Sequence, residues 1–149
     1  MDYTKAEEEI RKIIENSSKK IEDTVIFLYE NFEHYSWVGI YIVKENNLIL
    51  RFWKGPHATE HIKIPIGEGI CGSAAATGKT EIVDDVKKDD RYLSCFVTTR
   101  SEIVVPIKKE GKVIAEIDID SDKYATFSQQ DIVFLEKIAD MLCKHIPNL

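Results

Sequence analysis

Residues 95–120, CFVTTRSEIVVPIKKEGKVIAEIDID, constrain the fold more than any other stretch. They read as a cysteine-bearing loop followed by a β-hairpin, with arms from Glu102 to Lys108 and from Lys112 to Asp120. Lys109-Glu110-Gly111 suits a three-residue loop, with Gly111 in the left-handed position such a loop needs. Lys108 then faces Lys112, and counting outward sets Glu102 opposite Asp118. Side chains alternate across a strand. One face is therefore apolar throughout: Ile103, Val105, Ile107, Val113, Ala115, Ile117 and Ile119. The other runs from Val104, Pro106 and Ile114 near the turn to Glu102, Asp118 and Asp120 at the open end. Three carboxylates held this close repel one another unless water, a cation or a shared proton offsets the repulsion. A two-residue loop would shift the register by one and disperse them. Cys95 precedes Glu102 by seven residues, so a thiol approaches an acid cluster.

The chain around this hairpin has 149 residues, enough for one domain with a real core. At 44% apolar and 31% charged it has the balance of a globular protein. A formal charge of −6 gives no electrostatic reason to expect a nucleic acid or an anionic membrane as partner. The polar N-terminus, MDYTKAEEEIRK, lacks the apolar run of a signal peptide, and no run approaches the roughly 20 residues that span a bilayer. Cys71, Cys95 and Cys143 are odd in number and match no zinc spacing. The expectation is a soluble cytoplasmic protein with reduced thiols, no cofactor and no metal.

Taken in order, residues from about Thr4 to Phe32 carry Ile10, Ile13, Ile14, Ile21, Val25, Leu28 and Phe32 at helical spacing. Asn16-Ser17-Ser18 divides them into two helices, with a serine capping the second. Trp37 to Val43 and Leu48 to Trp53 are strands about an Asn46-Asn47 turn. Trp37, Gly39 and Tyr41 share a face, and Gly39 leaves a notch for a small ligand or a neighbouring side chain. His61 to Ile66 is short and extended. GEGICG (Gly67 to Gly72) matches the dinucleotide fingerprint formally, but Pro65 interrupts the strand before it and the alanine helix ending at Gly78 is too short for a βαβ crossover. We read it as a tight loop that brings backbone and Cys71 close to another group. Thr80 to Asp84 is a short strand. Asp85 to Arg100 is a long polar loop carrying Cys95, with Arg91 and Arg100 nearby in sequence; cationic neighbours lower a thiol pKa. Ser128 caps a final helix to about Ile146, with Asp131 at its third position. Its core stripe is Ile132, Leu135, Ile138, Ala139, Leu142 and Ile146, and Cys143 is a packed or interface thiol beside it. Helices at both ends of a mostly antiparallel sheet define an α+β domain.

Four segments in this order and spacing, WVGIY, GEGICGSAA, SEIVVP and IDIDS, with Cys71 followed by Cys95 twenty-four residues later, resemble the GAF-domain free methionine-(R)-sulfoxide reductases. The likeness runs from about Trp37 to the final helix. It implies a GAF fold: a six-stranded antiparallel sheet with N- and C-terminal helices packed on it, usually as a homodimer. Residues 1–149 would then be one GAF-like domain: a helical segment at 1–33, sheet and pocket loops at 36–120, and a terminal helix at 128–146. By the same resemblance Cys95 is the nucleophile, Cys71 the cysteine of the glycine-rich segment, Glu102, Asp118 and Asp120 the acidic residues, and Trp37 and Tyr41 the aromatic pocket wall. The family usually has a third cysteine ten residues before Cys71; here that position is His61.

The implied activity is reduction of free methionine-(R)-sulfoxide to methionine. Glu102, Asp118 and Asp120 would bind the substrate ammonium, and one of them, held neutral by its neighbours, would donate to the sulfoxide oxygen. Cys95 would attack the sulfur and become a sulfenic acid. Cys71 or an external thiol would then resolve it, and a thioredoxin-type reductant would close the cycle. The rival reading is a non-catalytic GAF module that binds or senses a small ligand, although the N-K-F-D/E motif of the cyclic-nucleotide class is absent from the sequence.

Overall fold

The two arms of the 95–120 stretch form the middle of the sheet. The computed structural model describes residues 1–93 and 96–149; Ser94 and Cys95 lie outside the described residues. Helices α1 (Tyr3–Asn16) and α2 (Lys20–Asn31) precede strands β1 (Trp37–Lys44), β2 (Asn47–Lys54) and β3 (Lys63–Pro65). Helix α3 (Gly69–Thr77), strands β4 (Glu81–Val83), β5 (Ser101–Lys109) and β6 (Lys112–Ser121), and helix α4 (Gln129–Leu142) follow. The sheet has six strands in the order β3-β2-β1-β6-β5-β4, and every neighbouring pair is antiparallel. The predicted α+β architecture is the observed one. Among the described residues no helix is long and apolar enough to cross a membrane.

The hairpin register differs from the predicted one, for a physical reason. Lys109, not Lys108, faces Lys112, so only Glu110 and Gly111 turn the chain, both with positive φ (54° and 80°). That is the two-residue turn that follows the twist of the strands. Alone it would move every side chain of β6 to the wrong face. A register shift between Ile107 and Lys108 adds a second one-residue step and restores the alternation. Glu102 consequently faces Asp120, not Asp118; Val104 faces Asp118, and Pro106 faces Glu116. Beyond the bulge, Val113 and Ile114 exchange the faces expected for them: Val113 packs on the α3 side and Ile114 on the side of the long helices.

The sheet separates two apolar layers. On one side Val38, Ile40, Ile42, Ile103, Val105, Ile107, Ile117 and Ile119 meet Ile10, Val25, Leu28, Leu135, Ile138 and Leu142 of α1, α2 and α4. Each such side chain contributes about 1.5–3 kcal/mol when fully buried, so this layer supplies most of the driving force. On the other side Trp37, Tyr41, Leu48, Ile64 and Val104 pack with Ile70, Cys71, Ala74 and Ala75 of α3. Two helix starts behave differently. Ser128 and Asp131 form a complete capping box on α4. Helix α2 has no side-chain cap: Lys19 stands at its N-cap, and Ser17 instead donates to Asp23 at 2.6 Å and accepts from the Lys19 amide at 2.9 Å. Cys143 is half-buried at the end of α4, and its thiol donates to the Lys108 carbonyl at 3.0 Å.

Candidate active site

The side of the sheet under α3 ends in acids. Glu116, Asp118 and Asp120 point the same way from alternate positions of β6, and Glu102 joins them from β5 opposite Asp120. All four are buried, at 5% exposure or less. Across Asp120 on β1 stands Trp37, and across Glu116 stands Tyr41. Thus the structure brings together Glu102, Asp118, Asp120, Trp37 and Tyr41, five of the residues singled out in sequence.

Helix α3 delivers Cys71 to the same place. The Gly67 amide donates to the Gly72 carbonyl at 2.9 Å, and the Gly72 amide to Glu68 at 2.9 Å, folding the start of the helix back on the end of β3. A Cβ at position 72 would lie 2.7 Å from the Pro65 carbonyl oxygen and 2.9 Å from the Gly67 nitrogen, both backbone atoms that cannot swing aside. The glycines thus permit a close backbone approach that seats the thiol. Cys71 is 6% exposed, and its Sγ lies 4.0 Å from a Glu102 carboxylate oxygen.

Donor atoms of Cys71, Glu102 and Asp118 lie within 4.8 Å of one another. Among the described residues this is the set convergent enough to hold a metal ion, and equally a place for protons or an ammonium group. Both carboxylate oxygens of Glu116 and one oxygen each of Asp118 and Asp120 are buried without a hydrogen-bond partner. No ion pair between described residues involves these three acids.

Burial controls the protonation of the cluster. It pushes the Cys71 thiol well above its ordinary range, and the charges of Asp118, Glu116, Glu102 and Asp120 push the same way. Burial raises Glu116 well above the carboxylate range, Asp118 adds to this, and the nearby Cys71 thiol takes a little back. It raises Asp120 likewise, again with Asp118 adding. Asp118 is raised by burial too, against the opposing influence of Glu102 and Cys71. These groups therefore titrate together and ionise at higher pH than isolated carboxylates do.

The consequence for stability has a definite sign. An acid whose folded pKa is raised stabilises the fold fully below its unfolded value, about 4, and loses that contribution as pH rises. Mild acidification from neutrality should raise the melting temperature, and circular dichroism at about pH 5 and about pH 8 measures it. A lower melting temperature at the more acidic pH would mean that the cluster is ionised and compensated.

The aromatic wall is built closely. The Trp37 ring fills the notch at Gly39, where a Cβ would lie 2.3 Å from the ring, and Gly55 seats its other edge equally closely. Trp53 stacks at 6.3 Å and Phe96 tilts at 5.9 Å from it. The indole nitrogen of Trp37 is buried without a partner. Tyr41 donates to the His61 carbonyl at 2.8 Å, tying strand β1 to the loop that carries His61. Beside Asp120, between Trp37, His57, Phe96 and Thr99, a cavity of about 20 Å³ opens, room for about one water. Of the two arginines near Cys95 in sequence, Arg91 pairs with Glu81 and Asp89, and Arg100 contacts the ring and hydroxyl of Tyr124.

Glu116 is the acid that the sequence reading passed over. The period-two signal that marks Asp118 and Asp120 also reaches Glu116, whose place two residues earlier puts it on the same face.

A six-stranded antiparallel sheet with α3 over one face and long helices behind the other defines the class of a GAF domain, and the GAF domain model matches residues 21–146. Free methionine-R-sulfoxide reductase of Saccharomyces cerevisiae is 42% identical over 73% of the chain and 62% of its own length. A type II free methionine-R-sulfoxide reductase from Thermoplasma acidophilum superposes with a TM-score of 0.82 at 38% identity, covering 89% of this chain and 93% of that one. The enzyme from Neisseria meningitidis, solved in complex with its substrate, gives 0.89 at 33% identity, covering 95% and 86%. The chain belongs to the GAF-domain free methionine-R-sulfoxide reductase family.

Proposed function

We propose that the protein reduces free methionine-(R)-sulfoxide to methionine, with Cys95 as the nucleophile. The observation that carries the reading is the convergence of Glu102, Asp118 and Asp120 beside Cys71 in a buried place, where one oxygen each of Asp118 and Asp120 has no hydrogen-bond partner among the described residues. Such oxygens are costly unless a donor arrives, and an ammonium group supplies both charge and donors. Trp37 and Tyr41 flank the acids and suit the methyl-sulfur end. The names of the yeast, Thermoplasma and Neisseria relatives support the same activity.

Cys71 is a poor first nucleophile, because burial and four acids keep its thiol protonated. That supports the division of labour in which Cys95 attacks and Cys71, or an external thiol, resolves the sulfenic acid. The cavity beside Asp120 is too small for an amino acid, so the residues around it move when substrate enters. The reading further makes the protein a cytoplasmic homodimer, with residues 1–149 acting as one GAF-like domain recycled by a thioredoxin-type dithiol; the sequence resemblance supports these points.

The test is incubation with dithiothreitol and either free methionine sulfoxide or its N-acetyl derivative, measuring the thioether formed. The free amino acid should be reduced and the N-acetyl form, which has no ammonium, should not. Equal turnover of both would refute ammonium recognition by the acids. Binding of the free sulfoxide without turnover would favour a sensor module.

A further inference from the structure

We propose that Glu116 is the proton-holding residue of this site, a positioning acid that acts through Asp118. The inference rests on the function proposed above and deepens it. Glu116 is 0% exposed, and among the described residues neither of its carboxyl oxygens makes a hydrogen bond of good geometry, the Cys71 thiol being the polar side chain nearby. Tyr41 of β1 and Pro106 of β5 stand opposite it, Asp118 lies two residues along on its own strand, and Cys71 of α3 acts on it from above the sheet; Asp120, with Glu102 opposite it, stands further along the same face. An apolar side chain of the same volume would fill the site without leaving two buried oxygens unsatisfied, so packing does not account for a carboxyl here. Burial and the charge of Asp118 both favour its protonated form.

That proton fits the one requirement that an ammonium-bound acid trio leaves open. An ammonium group favours the charged forms of Glu102, Asp118 and Asp120, which withdraws them as donors. In the reduction step the substrate's sulfur–oxygen bond breaks and a sulfur–oxygen bond forms at Cys95. Two electrons pass from the Cys95 sulfur to the substrate sulfur. Asp118, ionised beside the ammonium, takes one proton from Glu116 and passes it to the transferred oxygen, which becomes the hydroxyl of the sulfenic acid. Glu116 recovers its proton from water once methionine leaves, and the dithiol returns Cys95 to the thiol with release of one water.

The experiment compares wild type, Glu116→Gln and Glu116→Asp in steady-state reduction of free methionine-(R)-sulfoxide across pH, with thermal unfolding alongside. Glu116→Gln should lower kcat about 10²-fold with KM unchanged, and the alkaline limb of the profile should move to lower pH. Glu116→Asp should recover part of the rate. Glu116→Gln should also melt higher than wild type at mildly alkaline pH, because a neutral amide no longer has to be held protonated. Wild-type kcat and an unchanged alkaline limb in Glu116→Gln overturn the proposal while leaving the activity itself intact. A raised KM at unchanged kcat also overturns it, in favour of substrate binding. Absence of turnover in the wild type overturns both the proposal and the activity on which it rests.

Discussion

Cys95→Ser is expected to abolish turnover with free methionine-(R)-sulfoxide, by several orders of magnitude in kcat, while leaving the fold and substrate binding in place. In the proposed mechanism a sulfur nucleophile is required because oxygen transfer ends in a sulfenic acid, and a serine hydroxyl has neither the ionisation nor the polarizability for that step. Cys71→Ser should differ. Its thiol is buried among four acids that oppose thiolate formation, and the proposed mechanism gives it no part in the first attack. A single turnover should survive in Cys71→Ser, and steady state with a thioredoxin-type dithiol should slow if Cys71 closes the disulfide. Rapid-quench measurement of methionine per enzyme separates the cases. Full activity in Cys95→Ser, or loss of the first turnover in Cys71→Ser alone, would transfer the nucleophile to residue 71.

Asp131→Ala should cost about 3–5 kcal/mol of stability, the largest expected loss from a single side chain away from the site. Asp131 is 1% exposed at the start of α4. It accepts from the hydroxyls of Tyr35 at 2.6 Å and Tyr3 at 2.9 Å, and from the backbone amide and hydroxyl of Ser128 at 2.9 and 3.2 Å; His34 Nε2 lies 3.0 Å away. One carboxylate thereby joins α1, the turn between α2 and β1, and α4. Burial alone would raise its pKa, but the bonds from His34, Tyr35, Ser128 and Tyr3 outweigh it and bring it down to about 2. Burial and the same carboxylate raise both tyrosines. A depressed pKa contributes stability above the unfolded value of about 4, and that contribution is lost as pH falls through about 2. The sign is opposite to that of the acid cluster, so stability should peak near pH 4–5. Chemical denaturation of Asp131→Ala and Asp131→Asn measures the loss; a change below about 1 kcal/mol in the alanine variant would show that the network is dispensable.

The sheet and its helices were legible because their signals are local and repeated: period-two alternation in residues 102–120, helical spacing in 4–32 and 128–146, and glycine at 78 and 111. The acid face was legible for the same reason, although its partners were misassigned. No sequence signal marked the bulge after Ile107, and a two-residue turn plus a bulge preserves the faces that a three-residue loop predicts. Glu116 was within reach of the alternation and was overlooked. The meeting of Cys71 with the acids needed the close approach at Gly72, a tertiary fact. The Asp131 network joins residues up to 128 positions apart in sequence, and the capping pattern at Ser128 exposed only its local half.

The central claim is that a buried acid cluster grips a free amino acid so that one sulfoxide hand meets the nucleophile. A pocket that fixes the ammonium, the sulfur and the oxygen together accepts only one epimer at sulfur. The direct measurement supplies racemic free methionine sulfoxide with excess dithiothreitol and follows both epimers by chiral chromatography. The account predicts that the R epimer disappears with equimolar appearance of methionine while the S epimer stays constant. Consumption of the S epimer, or persistence of both beside active thiol, would contradict it.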